Sequence, residues 1–411
     1  MRIVRRARNA DARPAARSAL GRNQTTVTVR RRRDRSLALF LVIASSLSVV
    51  MAGCDGGEPH TSSGSAHNPA TVPGTVAVPL GVGEVYTANE RGGSISRIDL
   101  TTGRVTTFAV GFLPHNVQVS VDGRHILAVG SPPGAISGME GATAPPTSER
   151  SLRGRQTEAP QGQFLSVAAA AIDTVGAVRI AIGREPAHVI SDAAGSRAYA
   201  TTGEANAVIV IDLARGRITD TIATAAGPHG LRARPDGREL YVAGTKDNAV
   251  SVIDVASQRE VARVRVGRAP VQVAFLPDGE RAYVTLRDDN AVAVIDTRTR
   301  RVLATIPVGR GPIQLIAAPD GRLVYVANQG TETEPDSTVS VIDTRRNAVA
   351  RTLTVGRGAH GVAISDDGRR VFVANTFAGT VSVINTMAQH VIATVRVGTG
   401  PGGITYRAPM P

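Results

Sequence analysis

Thiol and aromatic chemistry are nearly missing from this 411-residue chain, which has one cysteine, no tryptophan and only 3% aromatic residues. A lone cysteine excludes a disulfide framework and any zinc or iron–sulfur site built on several thiolates. A metal would have to be held by histidine or carboxylate. Without tryptophan there is no tryptophan–aspartate repeat signature, and few flat rings remain on which sugars or bases could stack. No CxxCH segment occurs, which excludes covalent haem, and there is no GxSxG elbow, HExxH helix or phosphate-binding glycine loop in a helical context.

What is abundant is positive charge, with 47 Lys and Arg against 34 Asp and Glu and a formal net charge of +13. Its position decides its meaning. Residues 1–35 carry twelve Arg and two Asp, residues 36–53 carry no charge, and the chain from Cys54 onward is only +3. A nearly neutral body with sparse aromatics argues against a nucleic-acid partner. The basic lead is followed by SLALFLVIASSLSVVMAG and then by Cys54, the basic flank, apolar middle and small-residue end of an export signal. The stretch VMAGC resembles the lipobox of bacterial lipoproteins, with Met51 where that family prefers Leu. The resemblance implies cleavage before Cys54 and its lipidation, making the membrane a partner through the lipid anchor only. The expected location is the cell envelope, in the periplasm or on the outer face of the cytoplasmic membrane. An apolar run of about 18 residues would otherwise just suffice for a membrane helix. Residues 1–53 are thus expected to be leader and signal, and 54–82, rich in Gly, Ser, Pro and Thr, a flexible tether.

Residues 83–411 are repetitive. YVAGTKDNAVSVIDVASQREVARVRVG begins at Tyr241 and YVTLRDDNAVAVIDTRTRRVLATIPVG at Tyr283. Equivalent starts at Tyr86, Leu127, Tyr199, Tyr325 and Phe372 make seven units with a basic period of 42 residues. Each unit holds four short runs rich in β-branched residues separated by turn residues, which is the signature of a propeller blade. The motifs YVAN (325–328), TVSVID (338–343) and VANTFAGTVSVIN (373–385) resemble the YVTN-family β-propeller repeat. That likeness implies an all-β, seven-bladed propeller of four antiparallel strands per blade in an extracytoplasmic setting, and carries no single activity. The region opens with three strands (VYTAN, SISRID, RVTTFAVG) and ends with one, PGGITYR. Pairing them in one blade would close the ring and remove two exposed edges. A monomer is expected.

Several repeated residues have structural explanations. Asp122, Asp236, Asp278, Asp320 and Asp367 each precede Gly and read as hairpin turns. Asp99, Asp173, Asp212, Asp254, Asp296 and Asp343 end the third strands. Asn385 replaces the last of them, and Asn can imitate an Asp turn bond but cannot serve as a carboxylate base. The repeat's first-position tyrosines read as core.

The functional signal lies on the face shared by the loop before each innermost strand and the loop between the second and third strands. His115, His188, His229 and His360 sit at the mouth of that innermost strand with Asn116, Gln272 and Gln314. Arg184, Arg268, Arg310 and Arg357 follow the glycine of the preceding strand end and would favour an anion. Two insertions, 131–164 and TETEP (331–335), fall on this face, the longer one being low in β-branched residues and suited to a lid. His115, His229 and His360 share one strand phase and are candidate metal ligands, while His188 lies one residue later and should point elsewhere by side-chain alternation.

Two classes of function follow. A noncatalytic scaffold would hold a protein, peptide or small anion on the His/Arg face. Alternatively, the implied fold is similar to that of seven-bladed lactonases, lyases and the propeller domains of periplasmic redox enzymes. There His and Arg could supply a base and oxyanion stabiliser, or the protein could be a metal-binding redox accessory. Fold alone does not establish chemistry, and the missing nucleophile motifs favour the scaffold.

Overall fold

The computed structural model describes residues 79–133, 164–169 and 178–409. The signal segment, Cys54, most of the tether, Asp173 and most of the 131–164 insertion lie outside them. Among the described residues no helix is long and apolar enough to cross a membrane.

Strands account for nearly all regular structure, and they run in chain order through the blades. The first three are β1 (Glu84–Asn89), β2 (Ser94–Asp99) and β3 (Val105–Ala109). The next blade holds β4 (Leu113–Val119), β5 (His125–Ser131), β6 (Phe164–Ala169) and β7 (Val178–Ala181). Then come β8 (Pro186–Ser191), β9 (Arg197–Thr202), β10 (Ala207–Asp212) and β11 (Arg217–Ala223). They are followed by β12 (Pro228–Ala233), β13 (Glu239–Gly244), β14 (Ala249–Asp254) and β15 (Arg259–Arg265). The fifth group is β16 (Pro270–Phe275), β17 (Arg281–Leu286), β18 (Ala291–Asp296) and β19 (Arg301–Pro307). The sixth is β20 (Pro312–Ala317), β21 (Leu323–Gly330), β22 (Pro335–Asp343) and β23 (Ala348–Thr354). The chain ends with β24 (Ala359–Ile364), β25 (Arg370–Asn375), β26 (Thr380–Asn385), β27 (His390–Arg396) and β28 (Pro401–Arg407).

These strands pair into seven separate four-stranded sheets. Six run in chain order, and the remaining one has the order β28-β1-β2-β3, so the last strand supplies the innermost position of the blade that the first three began. The innermost strands follow one another around the axis as β4, β8, β12, β16, β20, β24 and β28, with β28 packed against both β24 and β4. Leu80, within the stretch assigned to the tether, is already buried and its N–H donates to the Leu100 carbonyl at 2.8 Å.

Sequence pattern explains which strands go where. Second strands such as β13 and β17 are buried along almost their whole length because neighbouring blades cover both faces, so they read as continuous apolar runs. Outermost strands such as β15 alternate exposed and half-buried residues. Cores form between blades, with Tyr241, Val250 and Val252 of one packing on Val273, Val284 and Ala293 of the next. Tyr86, Tyr199, Tyr241, Tyr283 and Tyr325 are buried in such layers. Turn chemistry fixes the ends. The Asp254 carboxylate accepts the Ser257 N–H at 2.7 Å, Asp343 those of Arg345 and Arg346, and Asn385 those of Met387 and Ala388, so the amide does the same work as the acids.

Candidate functional site

Each innermost strand begins with Pro, Leu–Pro or Ala and then breaks register with its neighbour within the next three residues. In β12 the pairing runs Pro228 with Gly244 but Leu231 with Val242, and in β8 it runs Pro186 with Thr202 but Val189 with Ala200. The same slip occurs in β4, β16, β20 and β24. A bulge of this kind suspends strict side-chain alternation and re-aims residues near a sheet edge. Two consecutive positions can therefore turn toward the axis, and the expectation that alternation sends His188 away from the other histidines fails for this reason.

Four imidazoles meet there. Ring centroids lie 4.9 Å apart for His188 and His229, 5.4 Å for His115 and His229, 6.0 Å for His115 and His188, and 6.3 Å for His115 and His360. His188, His229 and His360 are buried and the His115 side chain is 15% exposed. The closest trio is His115, His188 and His229, with one candidate ligand nitrogen from each lying within 4.8 Å of the others. The set expected to share a direction was His115, His229 and His360; His188 takes the place of His360 in the tight group.

Hydrogen bonds fix the rings. His115 Nδ1 lies 3.2 Å from Glu90 Oε1, and His229 Nδ1 donates to the Val271 carbonyl at 3.3 Å. With Nδ1 protonated in each, the neutral ring presents a lone pair at Nε2. Gln272 Nε2 donates to His188 Nδ1 at 3.3 Å, while its Oε1 accepts the Val273 N–H at 2.9 Å. Among the described residues the buried Nε2 of His115, Nε2 of His188, Nδ1 of His360, Oδ1 of Asn116 and Nε2 of Gln314 have no hydrogen-bond partner.

Burial pushes His188 and His229 well below the ordinary histidine value of 6.5, and neighbouring imidazoles add to the effect. His360 falls to about 4 for the same two reasons, against a smaller lift from Glu90. His115 goes the other way. Burial lowers it, but the Glu90 carboxylate outweighs that through charge and hydrogen bond, so the net shift is upward. Reciprocally, burial raises Glu90 while His115 brings it below its ordinary 4.5.

The arginines do not join this group. Arg268 Nε reaches Asp289 Oδ1 at 2.5 Å with both side chains on exposed loops, Arg310 reaches Glu334 at 3.2 Å, and Arg184 lies 3.6 Å from Glu204. Each is answered by a carboxylate from a loop between second and third strands, so the expected cationic collar is largely neutralised. Arg357 is exposed beside Arg91, Phe377 and Arg396 in a surface recess. The TETEP loop acts in this neutralisation, since Glu334 meets Arg310 and Glu332 makes a two-point contact with Arg91 at 2.9 and 3.0 Å.

Sequence reasoning missed Glu90. It lies in the loop after β1, the same kind of loop that holds Glu204, Asp247 and Asp289, and only the structure separates the acid that turns inward from those that meet arginines. The glycines of the inner strands were missed as well. A Cβ on Gly230 would lie 2.3 Å from Gln272 Oε1 and 2.5 Å from the Val271 oxygen, and one on Gly361 would lie 2.1 Å from the Gly402 oxygen.

A family model described as a YNCE-like beta-propeller matches residues 168–366. No curated protein matches the chain. Among solved structures, Kuenenia stuttgartiensis hydrazine synthase aligns with a TM-score of 0.58 at 19% identity, over 71% of this chain and 89% of that one. A functionally unknown protein from Desulfotomaculum acetoxidans aligns with a TM-score of 0.62 at 15% identity, over 80% of this chain and all of the other. At such identities the likeness concerns the fold alone, and together with the family match it supports a β-propeller.

Proposed function

We propose that the chain is an exported, lipid-anchored β-propeller that binds a small polar ligand at the histidine-lined end of its axis and does no chemistry on it. The observation that carries this reading is the set of buried nitrogens on His115, His188 and His360 that have no partner among the described residues. A buried polar atom left unsatisfied costs on the order of 1–3 kcal/mol, which a bound ligand would recover. The arginines act at the rim, where paired charges influence approach more than affinity.

The reading is tested by thermal melts of the purified chain against a panel of small carboxylates, phosphate, metal ions and short peptides, repeated with His115→Gln and His229→Gln. A compound that raises the melting temperature of the wild type and not of the folded variants supports it. A panel in which every shift survives both substitutions refutes it.

One geometric feature favours an enzyme as the second reading. Glu90, His115 Nδ1 and a free Nε2 form the carboxylate–imidazole arrangement of a positioned general base. Hydrolysis of a lactone panel that is lost in Glu90→Gln would support that alternative over a binding module.

A further inference from the structure

The chemistry of the ligand can be narrowed, and this step rests on the binding reading above. We infer that His115, His188 and His229 form a site for a late first-row divalent metal ion of the copper or zinc kind.

The donor set is the first argument. Three imidazoles from three different blades bring candidate ligand nitrogens within 4.8 Å of one another. A tetrahedral ion with metal–nitrogen bonds of about 2.0–2.1 Å holds its ligand nitrogens about 3.3 Å apart. Closing from one spacing to the other takes about 1.5 Å at most, which ring rotation about χ1 and χ2 can supply. An all-nitrogen set suits Cu, Ni or Zn, whereas Mg and Ca take oxygen ligands.

Outer-shell hydrogen bonding is the second argument. Metal-bound histidines almost always donate their other ring N–H to a carboxylate or backbone carbonyl, which fixes the tautomer and strengthens the ligand. His115 does so to Glu90 and His229 to the Val271 carbonyl. His188 Nδ1 receives a long 3.3 Å contact from Gln272, and its Nε2 has no partner among the described residues. A set of three protein ligands leaves one position of a four-coordinate ion for a further ligand, which is how open metal sites admit a small molecule.

The full chain, stripped with chelator and titrated calorimetrically with Cu²⁺, Zn²⁺ and Mg²⁺, tests the inference. One equivalent of Cu²⁺ or Zn²⁺ should bind, with nitrogen splitting in the copper electron paramagnetic resonance spectrum and no response to Mg²⁺. His115→Gln and His229→Gln should each abolish that equivalent. Glu90→Gln keeps every ligand and should weaken binding by about 10–100-fold, so the test holds even if a histidine variant folds poorly. A Cys54→Ser background removes the thiol as a competing ligand. No stoichiometric ion, or an ion whose affinity ignores Glu90→Gln and both histidine changes, overturns the metal site. In that case a histidine-dependent response to an organic ligand would leave the binding reading standing, and its absence would remove both.

Discussion

The inner strands approach one another so closely that one methyl group should reverse the sign of a stability change. Gly230 follows His229 in β12 and does not have a positive φ. At an unconstrained position of that kind Gly→Ala stabilises by about 0.4–1 kcal/mol, because alanine loses less chain entropy on folding. Here the new Cβ would meet Val271 oxygen at 2.5 Å and Gln272 Oε1 at 2.3 Å, in the neighbouring strand β16. Backbone cannot rotate away as a side-chain end can, so Gly230→Ala should destabilise by about 1–3 kcal/mol, the usual cost of overpacking. Gly237 is the control. It sits in an open turn with nothing within 4 Å and φ of 70°, so Gly237→Ala should cost about 1–2 kcal/mol from the left-handed backbone alone. The clash also touches the carbonyl that holds His229 and the amide that contacts His188. Gly230→Ala should therefore disturb the proposed ligand binding while Gly237→Ala leaves it intact. Calorimetric melting of wild type and both variants, read at about 2–4 °C per kcal/mol, decides the matter. A Gly230→Ala protein as stable as wild type, or more so, would refute the close approach and the ring geometry that imposes it.

Three other outcomes follow. Because folded His188, His229 and His360 take protons less readily than unfolded chain, their share of the stability should be level above pH 6.5 and fall as pH drops toward 4. The fall is about 1.4 kcal/mol per pH unit for each histidine titrating. Glu90, lowered from 4.5, adds a loss at the acid end, while His115, raised, loses its contribution only as pH rises through its folded value. Melts across pH 4–7.5 should flatten in His360→Asn, and an unchanged slope would contradict the buried, neutral imidazole. Truncation before Pro401 removes β28, bares an edge of β1 and leaves β24 and β4 without their shared neighbour, so the product should be aggregated or protease-sensitive; a soluble, resistant product would show that closure is dispensable. Cys54→Ser should end fatty-acid labelling, and labelling that persists would refute lipidation at that residue.

Local chemistry made much of the strand order readable. The 42-residue spacing of Tyr199, Tyr241, Tyr283 and Tyr325 locates buried second strands, and Asp254 or Asp343 marks where third strands turn. The turn signals survive in a bare sequence because they depend on residues adjacent in the chain, and the tyrosine signal survives because the same unit recurs at a fixed period. The bulge that brings His188 to His229 leaves no such trace, since β8 and β12 differ from regular strands only in how they pair with β9 and β13. Partner choice is equally hidden. Arg268 and His115 both have a loop carboxylate within reach, Asp289 and Glu90, yet one pair stands in solvent and the other is drawn inward beneath the imidazoles. The difference is a matter of where each loop lies above the ring, which no local spacing encodes.

The histidines are not what the ring needs in order to fold. At the position directly after the opening Pro or Ala, three inner strands carry His115, His229 and His360, while others carry Ala187, Val271 and Ile313, buried and apolar. The same architectural slot therefore accepts aliphatic side chains, which bring no desolvation penalty and leave no nitrogen unpaired. Placing imidazoles there instead crowds four groups whose mutual repulsion and burial suppress protonation, and leaves polar atoms without partners among the described residues. Glu90 deepens the contrast, because a carboxylate brought into this region is stabilised chiefly by His115. An arrangement that lowers folding stability at several adjacent residues, where a simpler filling is used elsewhere in the same ring, is the pattern expected of a site maintained for something it binds.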